Sequence, residues 1–164
     1  CSDITKVVTP DLKENGGDLY YIDLSKTELS LGGSAFAQTE NKIGITSSTI
    51  ADPAYFKKAF NTVQKLINDD QISAGHDISS GGLITTLLEM CFPNSWAGMS
   101  INLSEIKTKD LITLLFNENP GIILQSPLAL NETLASQGIH CIKLGSTTKD
   151  QTISLNHLEY QHTF

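Results

Sequence analysis

Ile72-Ser73-Ala74-Gly75-His76-Asp77-Ile78-Ser79-Ser80-Gly81-Gly82-Leu83-Ile84-Thr85-Thr86-Leu87-Leu88-Glu89-Met90 is the stretch on which the fold turns. Its opening residues, Ile72 to Gly75, predict a short strand that runs into His76. From Gly82 the apolar spacing changes: Leu83, Ile84, Leu87, Leu88 and Met90 recur as on a helix, and Phe92-Pro93-Asn94 stops it. A strand that passes through a glycine turn directly into a helix is a building unit of a layered α/β fold.

The flanking sequence repeats that alternation. Upstream, Leu19 to Leu24 is rich in β-forming aromatics and predicts a strand, after an opening loop through Asn15-Gly16-Gly17-Asp18. Gly32-Gly33-Ser34 then predicts a tight turn into a short helix over Ala35-Phe36-Ala37-Gln38, and residues 40–51 read as polar loop. Asp52-Pro53 supplies an acidic N-cap and a proline in the first helical position. Behind it Phe56, Ala59, Phe60, Val63, Leu66 and Ile67 define the expected buried face, with Lys57, Lys58, Asn61, Gln64, Lys65 and Asn68 opposite.

Downstream, Met99 to Leu103 alternates like a strand, and a third helix is expected near Thr108 with Asp110 in its first turn. Gly121 to Gln125 is a continuous apolar run suited to a central strand. Ser126-Pro127 is expected to start a fourth helix that Gly138 ends. Strands over Ile139 to Leu144 and, more weakly, near Ile153 complete the pattern. The expected fold is α/β (α+β), a mixed sheet layered with helices in one domain over residues 1–164.

Composition narrows the possible partners. With 164 residues, 40% of them apolar and 18% charged, the chain is able to bury a real core. Its formal net charge is −7 with no cluster of Lys and Arg, which argues against nucleic acid and anionic membranes as partners. No apolar run reaches the roughly 20 residues that span a bilayer. Cys1, Cys91 and Cys141 are odd in number and far apart, without a CxxC pair or a Cys/His metal spacing. They read as reduced thiols of a cytoplasmic protein. The first residues carry no signal peptide and no initiator Met, so the ends are expected to be cuts through a longer cytosolic polypeptide.

Chemistry centres on His76 to Gly82, where a strand meets a helix and open α/β sheets place ligands. Helix-start N–H groups attract anions, and Gly81 and Gly82 allow close approach to the backbone. Ser79 is placed to donate its hydroxyl to a phosphate oxygen. Asp77 would repel a bare phosphate, so its useful role there is to hold Mg²⁺. The plainer alternative has equal standing: Ser79 or Ser80 caps the helix and Asp77 satisfies loop amides. His76 reads first as a hydrogen-bonded structural histidine and second as a base. The stretch has neither GKS/T nor GxGxxG, so it is not a P-loop or a Rossmann fingerprint. Gly32-Gly33-Ser34 reads as a packing turn before an anion site, Glu118 as a solvated helix end before a ligand or an interdomain contact, and Trp96 as a packing anchor. His157 and His162 read as incidental residues of the tail. No nucleophile set is assignable, so no catalytic residue is expected.

In order, Val8-Thr9-Pro10-Asp11-Leu12-Lys13, Leu19 to Leu24, Leu31-Gly32-Gly33-Ser34-Ala35-Phe36-Ala37-Gln38, Gly75 to Leu83, Leu88-Glu89-Met90 and Leu115-Phe116-Asn117-Glu118 resemble the phosphoribosylformylglycinamidine synthase family. The resemblance covers nearly the whole chain, weakening in the tail. It implies the C-terminal domain of the second synthetase-like half of the large, single-chain enzyme, with a partly ferredoxin-like fold shared with aminoimidazole ribonucleotide synthetase. The family aminates formylglycinamide ribonucleotide in purine biosynthesis. ATP activates the amide oxygen as a phosphate ester, and ammonia from a glutaminase domain displaces it. The resemblance implies that the second half holds a structural nucleotide, ADP or ATP. Asp77 then matches a Mg²⁺ ligand and Ser79 a nucleotide contact, with Gly81 and Gly82 in the same turn. Implied partners are the first synthetase half and the glutaminase domain of the same chain, and the isolated piece is expected to be inactive and prone to dimerise. The family commonly has Arg and Asp in place of Ile78 and Ser80, and Glu-Leu in place of Asn119-Pro120. Stand-alone relatives, aminoimidazole ribonucleotide synthetase or selenophosphate synthetase, and a purely structural domain are the alternatives.

Overall fold

The computed structural model describes residues 3–108, 110–158 and 160–163, with residues 160–162 described as backbone; Cys1 and the side chain of His162 lie outside the described residues. Among the described residues seven strands form one sheet: β1 (Asp18–Asp23), β2 (Ala74–Asp77), β3 (Gly98–Asn102), β4 (Gly121–Ser126), β5 (Cys141–Thr148), β6 (Ile153–His157) and β7 (Tyr160–Thr163). The α-helices that accompany them are α1 (Ala35–Thr39), α2 (Pro53–Asn68), α3 (Gly82–Cys91), α4 (Leu111–Phe116) and α5 (Leu130–Ala135). The strand order is β2-β4-β1-β5-β3-β6-β7. The β3–β6 pair is parallel and the other pairs are antiparallel, so the sheet is mixed as expected.

Four adjacent strands at one end of the sheet explain the rest. β1, α2, β2, β4, α5 and β5 follow one another in a β-α-β-β-α-β sequence with spatial order β2-β4-β1-β5, the ferredoxin-like arrangement. The segment α3-β3-α4 is inserted between β2 and β4. Tyr20, Ile22 and Leu124 pack with Tyr55, Ala59, Val63 and Leu66 of α2 and Leu130 and Leu134 of α5. On the other face Leu19, Tyr21 and Ile123 pack with Leu83, Leu87 and Met90 of α3 and Leu114 and Leu115 of α4. β1 is therefore covered on both sides, which is why its sequence is an unbroken apolar run and not an alternation. Trp96 packs against this second cluster, the anchoring role read from its loop.

Several boundaries move for identifiable reasons. Asp52 caps α2 as expected, its Oδ1 accepting the Tyr55 N–H at 2.9 Å. The buried stripe is nevertheless Tyr55, Ala59, Val63 and Leu66, and Phe60 is 43% exposed. Tyr55 takes the core position because its hydroxyl donates to the Asp23 carbonyl (3.1 Å) and Lys26 lies over its ring. Asp110 is the N-cap of α4 and lies just before its first turn. Ser126 does not start a helix. Its backbone belongs to the β1–β4 ladder and its hydroxyl donates to the Gln71 carbonyl, so α5 begins only at Leu130. Ile139 closes α5 by donating to the Leu134 carbonyl, which delays β5 to Cys141. His157 is not a loose tail residue: it lies on β6 and is 1% exposed.

Candidate functional site

Strand β2 begins two residues later than its sequence suggests and includes His76 and Asp77, which pair with Ile123 and Ile122 of β4. The chemistry-bearing residues thus start on an edge strand and only then enter the turn. Ala74 and Ile78 are buried in the core under α3 and α4, so Asp77 alternates to the opposite face. There it borders a cleft of about 270 Å³ walled by Val8, Val63, Gln64, Ile67 and Leu124. The Asp77 side chain is 75% exposed. Ser79 is exposed too, while Ile78 between them is buried.

His76 behaves as the structural histidine. Its Nδ1 lies 2.8 Å from the Asp77 carbonyl and its Nε2 lies 3.2 Å from Glu89 Oε2 on α3, so the ring joins the strand to the helix that follows it. Thr86 adds a second link, its hydroxyl lying 3.3 Å from the Asp77 carbonyl and 3.2 Å from that of Gly82.

Neither serine caps α3. The cap position is Gly81, at φ +90°, with no side-chain cap. Its N–H donates instead to Glu118 Oε1 at 2.8 Å. The Gly82 N–H donates to the Ser79 carbonyl at 3.0 Å. Gly82 itself has φ +76°, and a Cβ there would fall 2.6 Å from the Asn117 carbonyl oxygen and 2.7 Å from that of Leu115. Both conditions demand glycine. The paired glycines therefore shape the corner, and their amides are engaged within the chain.

Glu118 is the residue that the sequence undervalues. The oxygen that accepts from Gly81 also accepts from Ala35 N–H at 2.8 Å, the first residue of α1. The two glycine turns, 31–34 and 79–82, meet on one carboxylate. Ser34 completes the first turn, its Oγ accepting from Ala37 N–H (3.1 Å) and donating to the Leu31 carbonyl (2.7 Å). The residues beside Glu118 do similar work. Asn117 Nδ2 donates to the Thr113 and Leu114 carbonyls at the end of α4. Asn119 Nδ2 donates to Thr27 Oγ1 and the Glu28 carbonyl, and the Pro120 carbonyl accepts from Leu24 N–H. What reads as a solvated helix end is a junction of four segments.

Among the described residues no group of three or more His, Cys, Asp or Glu side chains is placed to hold a metal ion. Asp77 alone fits Mg²⁺ only in the way that ion prefers, with one or two carboxylates and the remaining places filled by phosphate and water. A larger cleft of about 550 Å³ lies by Tyr21, Asp23, Glu28, Glu105, Lys107 and His140, and none of the expected site residues borders it. Among the described residues no helix is long and apolar enough to cross a membrane.

Residues 16–157 match the family described as AIR synthase related protein, C-terminal domain. The phosphoribosylformylglycinamidine synthase of Homo sapiens is 38% identical over 153 residues, 90% of this chain and 11% of that protein. The probable chloroplastic/mitochondrial phosphoribosylformylglycinamidine synthase of Arabidopsis thaliana is 45% identical over 127 residues, 76% of this chain and 9% of its own length. The chain thus spans about a tenth of these relatives. Among solved structures, T. maritima PurL complexed with ADP gives a TM-score of 0.71 at 10% identity, covering 98% of this chain and 26% of that one. T. maritima PurL complexed with FGAR gives 0.73 at 12% identity, over 96% and 29%. At such identities these likenesses speak to the fold, and they agree with the mixed sheet of this chain. By its match over residues 16–157 and by this architecture, the chain belongs to the family of C-terminal domains of AIR synthase-related proteins.

Proposed function

We propose that this chain is the C-terminal domain of the second synthetase-like half of a large phosphoribosylformylglycinamidine synthase, and that its β2–α3 corner helps hold a Mg–nucleotide. The name borne by relatives at 38–45% identity supports the enzyme class, and PurL complexes with ADP and ATP support a nucleotide. One observation carries the corner itself: Asp77 and Ser79 hold exposed polar side chains two residues apart, Asp77 Oδ1 lying 3.5 Å from His76 Nδ1, while Ile78, Gly81 and Gly82 around them are engaged by the fold. That division of labour suits a rigid mount with two groups left for a ligand.

In this reading Asp77 is a Mg²⁺ ligand and the Ser79 hydroxyl donates to a phosphate oxygen. Gly81 and Gly82 serve by shape, keeping the turn tight enough for both side chains to reach one ligand. Mg²⁺ supplies neutralisation of phosphate charge on a chain of net charge −7. The other ligands come from adjoining parts of the long chain, whose first synthetase half and glutaminase domain are the natural partners. The role is structural, with ammonia transfer conducted elsewhere. The free thiols of Cys91 and Cys141 support a reducing compartment such as the cytoplasm.

The test is Asp77→Ala in the full-length protein. Nucleotide content is measured by chromatography after denaturation, beside turnover per folded molecule. Loss of bound nucleotide and of thermal stability with turnover intact supports the proposal. Loss of turnover with nucleotide retained refutes it.

A further inference from the structure

We propose that Glu118 is a positioning residue that yokes the two glycine turns into one unit, so that the Gly32–Ser34 turn sets the geometry of the Asp77–Ser79 corner. The link is a single oxygen. Glu118 Oε1 accepts from Ala35 N–H and from Gly81 N–H, each at 2.8 Å, across sequence separations of 83 and 37 residues. Gly81 is the cap residue of α3, and Glu118 accepts from its own N–H, the bond that a Glu or Gln at the third helical position makes in a capping box and that Ile84 cannot make here. A carboxylate also sits well at the N-terminal end of α3, where the amides point outward.

The yoke is itself held. Asn117 fixes the preceding residue to the last carbonyls of α4, and Asn119 fixes the following one to the loop at Thr27 and Glu28. The backbone of residues 115–117 also lies against Gly82, leaving no room for a Cβ. Glu118 thus has little freedom to follow one turn and release the other. A displacement of residues 31–35 moves the oxygen that Gly81 depends on, and Gly81 lies two residues from Ser79. The consequence for a nucleotide rests on the function proposed above, whereas the mechanical link does not.

Hydrogen exchange by mass spectrometry on the full-length protein, read over peptides covering residues 33–37 and 79–83, tests the link directly. Glu118→Ala should raise exchange in both peptides by about ten-fold or more, as expected for losing bonds to a charged acceptor. Glu118→Gln keeps an acceptor oxygen and should stay within about three-fold of wild type. Ser34→Ala removes the hydroxyl contacts of the first turn, so it should raise exchange at 79–83 in the wild-type background and add nothing in Glu118→Ala. If Glu118→Ala does not fold, Glu118→Asp replaces it, and its shorter reach should leave at most one of the two turns protected. The proposal is overturned if Glu118→Ala deprotects one turn only, if Glu118→Asp leaves both protected, or if the Ser34→Ala effect at 79–83 persists without Glu118.

Release of Mg–ADP should quicken in Glu118→Ala by about the factor by which exchange at 79–83 rises. Unchanged release beside raised exchange would overturn the claim that the yoke sets the corner. A wild-type protein that retains no nucleotide would end the function proposed above, and the exchange cycle would still decide the yoke.

Discussion

Gly82→Ala separates two reasons for a glycine, left-handed backbone and close approach. At φ +76°, an L-residue pays roughly 1–2 kcal/mol for the left-handed conformation. The added Cβ would also stand 2.6 Å from the Asn117 carbonyl oxygen and 2.7 Å from both the Leu115 oxygen and the Phe116 carbonyl carbon. These are backbone atoms, which cannot rotate aside, so overpacking adds roughly 1–3 kcal/mol. Gly33→Ala is the control. Its φ of +77° is nearly the same, but the nearest atom to its Cβ is Ser47 Cβ at 4.0 Å, so only the backbone cost applies. Thermal melting of the two variants in one buffer isolates the contact. At about 2–4 °C per kcal/mol for a chain of this size, Gly82→Ala should melt roughly 2–12 °C below Gly33→Ala. Equal melting temperatures would mean that the loop after α4 yields freely, and the close approach would then be no reason for the glycine.

Other expectations follow from single contacts. Gln125 is fully buried and holds the 12–17 loop by accepting from Lys13 N–H (2.8 Å) and donating to the Lys13 carbonyl (2.9 Å). Gln125→Ala leaves both peptide groups without that partner and should cost roughly 2–4 kcal/mol in urea unfolding, a loss under about 0.5 kcal/mol being the refuting result. Burial pushes the Cys91 thiol up to about 11 and the Cys141 thiol up to about 12. An unfolded thiol ionises near about 8.5, so this contribution to stability is complete below that pH and declines as pH rises toward 11–12. The Tyr21 phenol, also pushed up by burial, acts with the same sign. Urea midpoints should therefore fall from pH 8 to pH 10, and a flat or rising series would contradict the burial of these groups. The chain alone, given formylglycinamide ribonucleotide, ammonia, ATP and Mg²⁺, should form no product, and turnover would place a complete active site within it.

Elements with local signals were legible. The Asp52-Pro53 start of α2, the Gly81-Gly82 entry to α3 and the apolar run of β4 each carry their cause within a few residues. Where tertiary contacts decide, local reading missed. Phe60 fits the apolar spacing of α2 as well as Tyr55 does, but only Tyr55 finds Asp23 for its hydroxyl. Ser126-Pro127 has the look of a helix start, yet Ser126 is claimed by Asp18 across the sheet and by the Gln71 carbonyl. β7 was not foreseen, since a short edge strand needs only one partner and little apolar content.

The candidate site divides along the same line. Asp77, Ser79 and the glycines were visible because a strand-turn-helix junction announces where a ligand approaches. Glu118 was not, because an Asn-Glu-Asn-Pro run after a helix carries no mark of its partners. Its function lies in two amides that share one oxygen, and sequence spacing has no term for an acceptor 83 residues from one donor and 37 from the other. The one available signal was negative: the third position of α3 is Ile84, so no Glu or Gln of the helix itself is there to accept from the N–H of its cap residue Gly81. Asking which residue repairs that deficit leads from Gly81 to the polar loop before β4, and within that loop Glu118 is the side chain with an ionised acceptor to offer.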